Sequence, residues 1–174
     1  ALPGVAAPPS FRNDIIIRGG APGENRFFLD GIEIPVINHF QTQGSSGGPV
    51  GILNVNFIRD VEFYSGAFPS NRGNALSSVF EFTQKEGNPE RMIFGIAVGS
   101  SDIALNLDGP LGKKANMIFS YRRSYLQFLF AALRLPFLPT YNDSQFRIGV
   151  NFNEKNRLTL IGLGALDDFA LNLN

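Results

Sequence analysis

The sequence predicts a mostly β protein in two parts, an N-terminal α+β region over residues 1–88 and a run of antiparallel strands over residues 89–174. Two observations carry that reading. Up to Pro89 the β-rich runs are short and broken by Gly, Pro and Asp-Gly turns, the punctuation of short strands. Beyond Pro89 the runs lengthen and alternate between large apolar residues and small or polar ones, the period of a strand with two unlike faces.

The opening Ala1–Ser10 is Pro-rich and reads as an extended lead-in. From Asp14 to Pro35 the order is strand (Ile15-Ile16-Ile17), loop (Gly19-Gly20-Ala21-Pro22-Gly23), strand (Phe27-Phe28-Leu29), turn (Asp30-Gly31) and strand (Ile32-Glu33-Ile34). Asp-Gly marks a tight turn because Gly takes positive φ at no steric cost. Val36–Gly51 is polar and Gly/Ser-rich, which predicts a mobile loop. Ile52–Val61 reads as a short helix or turn before a strand at Val61–Tyr64, and Phe68–Gly73 as a loop.

In the second region Met92, Phe94, Ile96 and Val98 share one face, and Ile103, Leu105 and Leu107 oppose Asp102, Ala104, Asn106 and Asp108. Phe146, Ile148, Val150 and Phe152 oppose Gln145, Arg147, Gly149, Asn151 and Asn153 in the same way. Asn116–Tyr125 is a further strand that places Tyr121 and Tyr125 on the apolar face near one end. An apolar face backed by a small or polar one suits a membrane barrel strand, with lipid outside and a polar lumen inside. A soluble sandwich gives the same period with its apolar face packed on a partner sheet, so periodicity alone leaves both open. Gly109–Lys114 and Asn153–Asn156 are tight charged turns, whereas Leu126–Asp143, with Pro136 and Pro139, reads as a long connection.

Composition narrows the chemistry. Lys+Arg and Asp+Glu number 15 each, with no block of like charge, so the basic footprint of a nucleic-acid binder is missing. Cysteine is absent, which removes disulfides and thiolate chemistry. The single histidine, His39, cannot build a zinc site by itself, and neither a metal nor another cofactor is expected. Gly44-Ser45-Ser46-Gly47-Gly48 fits the letters of a nucleophile elbow, but Pro49 follows where a helix is required and His39 precedes the serine, so no enzyme is expected. No apolar run reaches the length of a membrane-spanning helix; the longest, Tyr125–Leu133, is interrupted by Gln127 and followed by Arg134 and Pro136.

Three segments resemble, in order, the plug domain of TonB-dependent outer-membrane receptors. Arg18-Gly19-Gly20 followed by Asn25-Arg26-Phe27-Phe28-Leu29-Asp30-Gly31-Ile32 is similar to that family's RGG and N-R-x-x-x-D-G signature. Phe57–Gly73, with Val61-Glu62-Phe63 and Gly66, is similar to its I-E-V and glycine element, and Ala75–Phe82 to the closing plug strand. Leu135–Asp143 and Gly162–Asp168 resemble segments of Bacteroidota-type receptors of the family.

The resemblance implies residues 1–88 as most of a plug and residues 89–174 as the first four to five strands of a 22-stranded transmembrane barrel in the bacterial outer membrane, hence a piece of a longer protein. It places the short turns on the periplasmic side and the longer connections outside. It implies substrate import powered through the TonB complex, which would engage a segment outside this chain, with outer-membrane lipid and a surface-exposed lipoprotein as further partners. Arg18 and Glu62 are then members of a charge network holding plug to barrel, while Gly19, Gly20, Asp30, Gly31, Gly66 and Gly73 sit at motif turns. Loop position makes His39, Gln41, Gln43, Phe68 and Arg72 candidate substrate contacts. The competing expectation is a soluble all-β binding or adhesin-like module.

Overall fold

Strands dominate both parts of the computed structural model, which describes residues 5–6, 14–42 and 45–172. The chain divides between Lys85 and Glu86 into two units, just ahead of the 88/89 boundary expected from the sequence.

In the first unit β1 (Val5–Ala6) pairs antiparallel with β2 (Ile16–Ile17). β3 (Asn25–Leu29) and β4 (Ile32–Ile34) form a hairpin, and Asp30 and Gly31 at its turn have φ of 48° and 84°. Both central residues are thus left-handed, as a type I′ turn requires, and this is where Asp-Gly is suited. β5 (Asn38–His39) pairs with β6 (Val50–Gly51), and β7 (Ile58–Tyr64) with β8 (Ser78–Gln84). The main sheet runs β4-β3-β8-β7, with β3 and β8 parallel at its centre.

A phenylalanine row ties that sheet together. Phe80 on β8 has its ring centroid 5.5 Å from Phe27 on β3 and 4.7 Å from Phe63 on β7, both its cross-strand partners. Cross-strand aromatic pairs of this kind add to the stabilisation from burial itself.

The α+β expectation needs correcting here. Among the described residues the first unit has no α-helix, only 3-10 turns at Pro22–Glu24 and Val55–Phe57. Asn54 caps the start of the second with its side chain, accepting from the Asn56 amide at 3.1 Å. The following β-branched Ile58 then favours extension over a further helical turn.

The expected mobile loop is also corrected. Ser45, Ser46, Gly47 and Gly48 are buried. Asp14 Oδ1 accepts from Ser45 Oγ at 2.7 Å, the Ser46 amide at 3.2 Å and the Gly47 amide at 2.8 Å, and Asn38 Nδ2 donates to the Ser46 carbonyl at 2.9 Å. Gly48 lies so close to β5 that a Cβ there would stand 2.2 Å from the His39 carbonyl oxygen. Backbone groups of Ser46 and Gly47 are thus satisfied by the side chains of Asp14 and Asn38.

The second unit is one antiparallel sheet in chain order: β9 (Ile93–Val98), β10 (Asp102–Pro110), β11 (Ala115–Ser124), β12 (Phe137–Asn151) and β13 (Arg157–Leu171). Tight turns join β10 to β11 and β12 to β13 where the sequence placed them. The connection expected over Leu126–Asp143 is shorter than predicted, because α1 (Leu126–Ala132) fills its start and β12 begins at Phe137. Pro139 lies inside β12, although proline cannot donate to a ladder. The β11–β12 pairing stops at Arg123 and Asn142, and two residues before Tyr141, whose amide reaches Ser124 Oγ on the β11 side, Pro139 turns its nitrogen beyond the end of that ladder.

Tyr121 is on the apolar face as expected. Tyr125 has left the strand to precede α1, and its hydroxyl donates to the Gly99 carbonyl. Among the described residues no helix is long and apolar enough to cross a membrane, a test that strands do not enter.

Candidate functional site

The sheet of the second unit has its polarity inverted. Rungs Val98–Ile103, Ile96–Leu105–Tyr121 and Phe94–Leu107–Phe119–Phe146 stack large apolar side chains on one face. That face is open: Phe94, Ile96 and Val98 are 75%, 74% and 72% exposed, and Ile103, Leu105, Leu158 and Leu160 are each about half exposed. A shallow apolar depression of about 250 Å³ runs along it between Met117, Phe119, Phe146, Ile148 and Leu160.

The other face is polar. Ser120, Tyr141, Asp143 and Gln145 are at most 5% exposed. Buried polar groups need partners, and these have them. Arg122 meets Asp143 Oδ2 through Nη2 at 2.7 Å and Nε at 2.8 Å. Tyr141 donates to Asp102 Oδ2 at 2.6 Å, Ser101 Oγ donates to the same oxygen at 3.0 Å, and the Arg122 guanidinium lies 5.5 Å from the Tyr141 ring centre. Nearer the opposite end, Glu86 Oε1 is 2.6 Å from Arg157 Nη1 and 3.8 Å from Arg147 Nη2. None of these groups was a candidate from sequence. Alternation placed Asp102, Arg147 and their kind on the small or polar face, but only the strand register shows which of them meet.

In the first unit the motif residues surround one cleft. Arg18 and Gly19 have φ of 50° and 78°, and the Gly20 amide donates to the Ile17 carbonyl at 2.9 Å, making another left-handed turn. Gly20 and Gly66 are held tight: a Cβ on Gly20 would be 2.4 Å from Ser77 Oγ, and one on Gly66 3.0 Å from Arg18 Nη1. Arg18, Glu24, Gly66, Phe68 and Leu76 line the resulting open cleft of about 250 Å³. Asn25, next in the motif, donates through Nδ2 to the Ile15 carbonyl at 2.7 Å and the Pro22 carbonyl at 3.0 Å, and accepts from Ser78 Oγ at 2.6 Å. Asp30 accepts from the amide of Gln84 at 2.8 Å and from its Nε2 at 3.1 Å, fastening the hairpin turn to the end of β8.

The structure separates the remaining candidates. Glu62 is exposed on β7 and accepts from Tyr64 Oη at 2.6 Å, and no ion pair joins it to Arg18 among the described residues. Gly73 is exposed with open space around it. Arg72 is engaged within the sheet: its Nε and Nη2 grip Glu81 at 2.6 and 3.0 Å, and its guanidinium stacks 4.4 Å from the centre of the Phe28 ring. This hydrogen-bonded pair raises the Arg72 pKa and lowers that of the Glu81 carboxyl. His39 is wholly buried on β5. Gln41 donates to the Ser45 carbonyl, within the packed loop. Phe68 remains half exposed in the cleft, and Gln43 lies outside the described residues. Among the described residues no cluster of three or more His, Cys, Asp or Glu is arranged for a metal.

No family model and no curated protein matches the sequence. The fold does match solved structures. A mutant of the ferric enterobactin receptor PfeA from Pseudomonas aeruginosa, in complex with enterobactin, aligns with 97% of this chain at a TM-score of 0.64 and 14% identity. The pyoverdine outer membrane receptor FpvA from Pseudomonas aeruginosa PAO1, bound to pyoverdine, aligns with 96% of it at a TM-score of 0.63 and 18% identity. This chain spans 30% of the first of those structures and 24% of the second. The fold is thus that of a segment of such receptors.

Proposed function

We propose that this chain is the plug unit and the first five barrel strands of a TonB-dependent active transporter of the bacterial outer membrane. The observation that carries the proposal is the inverted sheet, with its apolar side open and its polar side paired by hydrogen bonds and ion pairs. In water that arrangement leaves a broad apolar surface exposed, which soluble proteins avoid. In a bilayer it is the stable one, since lipid takes the apolar face and paired strands satisfy the backbone. β10, β11, β12 and β13 have 9, 10, 15 and 15 residues, and about 9–11 tilted residues cross the hydrocarbon.

On this reading the first unit is the plug. Its motif residues Arg18, Gly20, Asn25, Asp30 and Gly66 shape turns and a cleft and fasten strand ends; they catalyse nothing, and transport makes and breaks no covalent bond of the substrate. Substrate binds above the plug, and the TonB complex, acting through a segment outside this chain, draws the plug aside to open a path. Arg18 and Glu62, exposed and not paired with each other, remain available to a plug-to-barrel charge network. Phe68, half exposed in the cleft, is the candidate for substrate contact that its surroundings support best. The fold likeness to two siderophore-bound receptors supports a ferric chelate as the first substrate class to try.

Cell fractionation tests the proposal. The parent polypeptide should be several times longer than this chain and should leave the outer membrane only in detergent. A soluble, monodisperse product containing these residues would sink it and leave a soluble binding module in its place.

A further inference from the structure

The open face of the second sheet carries one group that does not belong in hydrocarbon. Arg123 lies next to last in β11, on the same face as Tyr121, and its cross-strand partners are Ile103 and Asn142, so no carboxylate stands opposite it. Beside it β10, β11 and the start of α1 line an open cleft of about 390 Å³, with Ile103, Leu105, Tyr121, Arg123, Gln127 and Phe128 on its walls. That volume is in the range of ligand clefts. Its lining is mostly apolar with one guanidinium and one amide, and Phe128 on α1 is 68% exposed. The nearest acid on this face in register, Asp168 on β13, pairs with Thr140 beyond the end of the β11 ladder.

We propose that this cleft binds a membrane lipid with a phosphate headgroup, its acyl chain on Ile103, Leu105 and Phe128 and its phosphate on Arg123. The inference rests on the reading of this face as lipid-exposed. Long cationic side chains at membrane level reach toward the headgroups, and the planar guanidinium matches phosphate oxygens two at a time. Tyr121 sits one rung inward, where aromatic side chains of membrane proteins collect. A purely structural arginine would be expected to face a protein acid; here the ladder offers isoleucine and asparagine.

Native mass spectrometry of the full-length protein, released from outer membranes in detergent and titrated with phosphatidylglycerol, tests it. Retained phosphatidylglycerol should fall several-fold in Arg123→Gln and in Phe128→Ala, should survive Arg123→Lys in part, and should exceed retained phosphatidylcholine in the wild type. Equal retention of the two lipids, or retention unchanged in both loss variants while the protein still fractionates with the outer membrane, overturns the lipid site and leaves the transporter reading standing. Recovery of the wild type in a soluble fraction overturns both.

Discussion

The two units use the same alternation to opposite ends. In the first, Phe27, Leu29 and Val79 are buried and Glu33, Asp60 and Glu62 face out, the usual arrangement in water. In the second, Ile96, Ile103 and Leu105 face out while Ser120, Asp143 and Gln145 are buried. The period of a strand states that its two faces differ; it does not state which of them is the inside. That assignment belongs to the surroundings, and only the three-dimensional arrangement reveals it.

The largest expected effect breaks the comparison directly. Leu105→Arg in the full-length protein places a charge midway along β10 on the open face, and should lower stability in a bilayer by about 2–4 kcal/mol. Denaturant titration in liposomes reads it. In a soluble sheet an exposed leucine could take a charge at almost no cost, so a change near zero would return the second unit to the company of the first.

A smaller effect tests the polar fastening of the first unit. Asn25→Ala removes a carboxamide that joins Ile15, Pro22 and Ser78, at about 1–3 kcal/mol for the buried groups left without partners. Hydrogen exchange of the full-length protein should show lost protection confined to the first unit, around β2 and β3. Loss spread evenly over both units would mean that they unfold as one.

The smallest expected effect is electrostatic. Glu81 has its folded-state pKa lowered by Arg72. The pair therefore adds stability that is fully present above the unfolded glutamate pKa and fades as pH falls through the lowered folded value. Glu81→Gln should cost about 1–2 kcal/mol at neutral pH and should flatten the acid limb of the first unit's stability profile. An unchanged acid limb would assign that limb to other carboxylates.

How much was legible in the sequence follows from how far each cause lies along the chain. The Asp30-Gly31 hairpin and the strand faces are local, set by φ preference and by period, and they read directly. The loop at Ser45–Gly48 was misread because its organiser, Asp14, lies more than thirty residues earlier, and nothing in a Gly/Ser run announces a carboxylate beneath it. Arg72 reads as a loop cation until Glu81 arrives from β8. The seven-residue α1 has no side-chain N-cap, so its start leaves no mark in the residue pattern. The Arg122–Asp143 and Asp102–Tyr141 pairs needed the register of three strands, which alternation does not supply.

The way β1 is attached has a mechanical consequence. β1 and β2 share two rungs, Val5 with Ile17 and Ala6 with Ile16, and the ends that tension from the N-terminal side would load, Val5 and Ile17, lie together at the outer rung. Such a load opens the ladder one rung at a time. β3 and β8 run parallel over five rungs from Asn25–Ser78 to Leu29–Phe82, so the same pull, resisted from the far end of β8, slides one strand along the other and strains every rung together. The first unit thus has a peelable edge in series with a shear-resistant centre: a modest force frees its leading strand well before it can disturb the sheet behind.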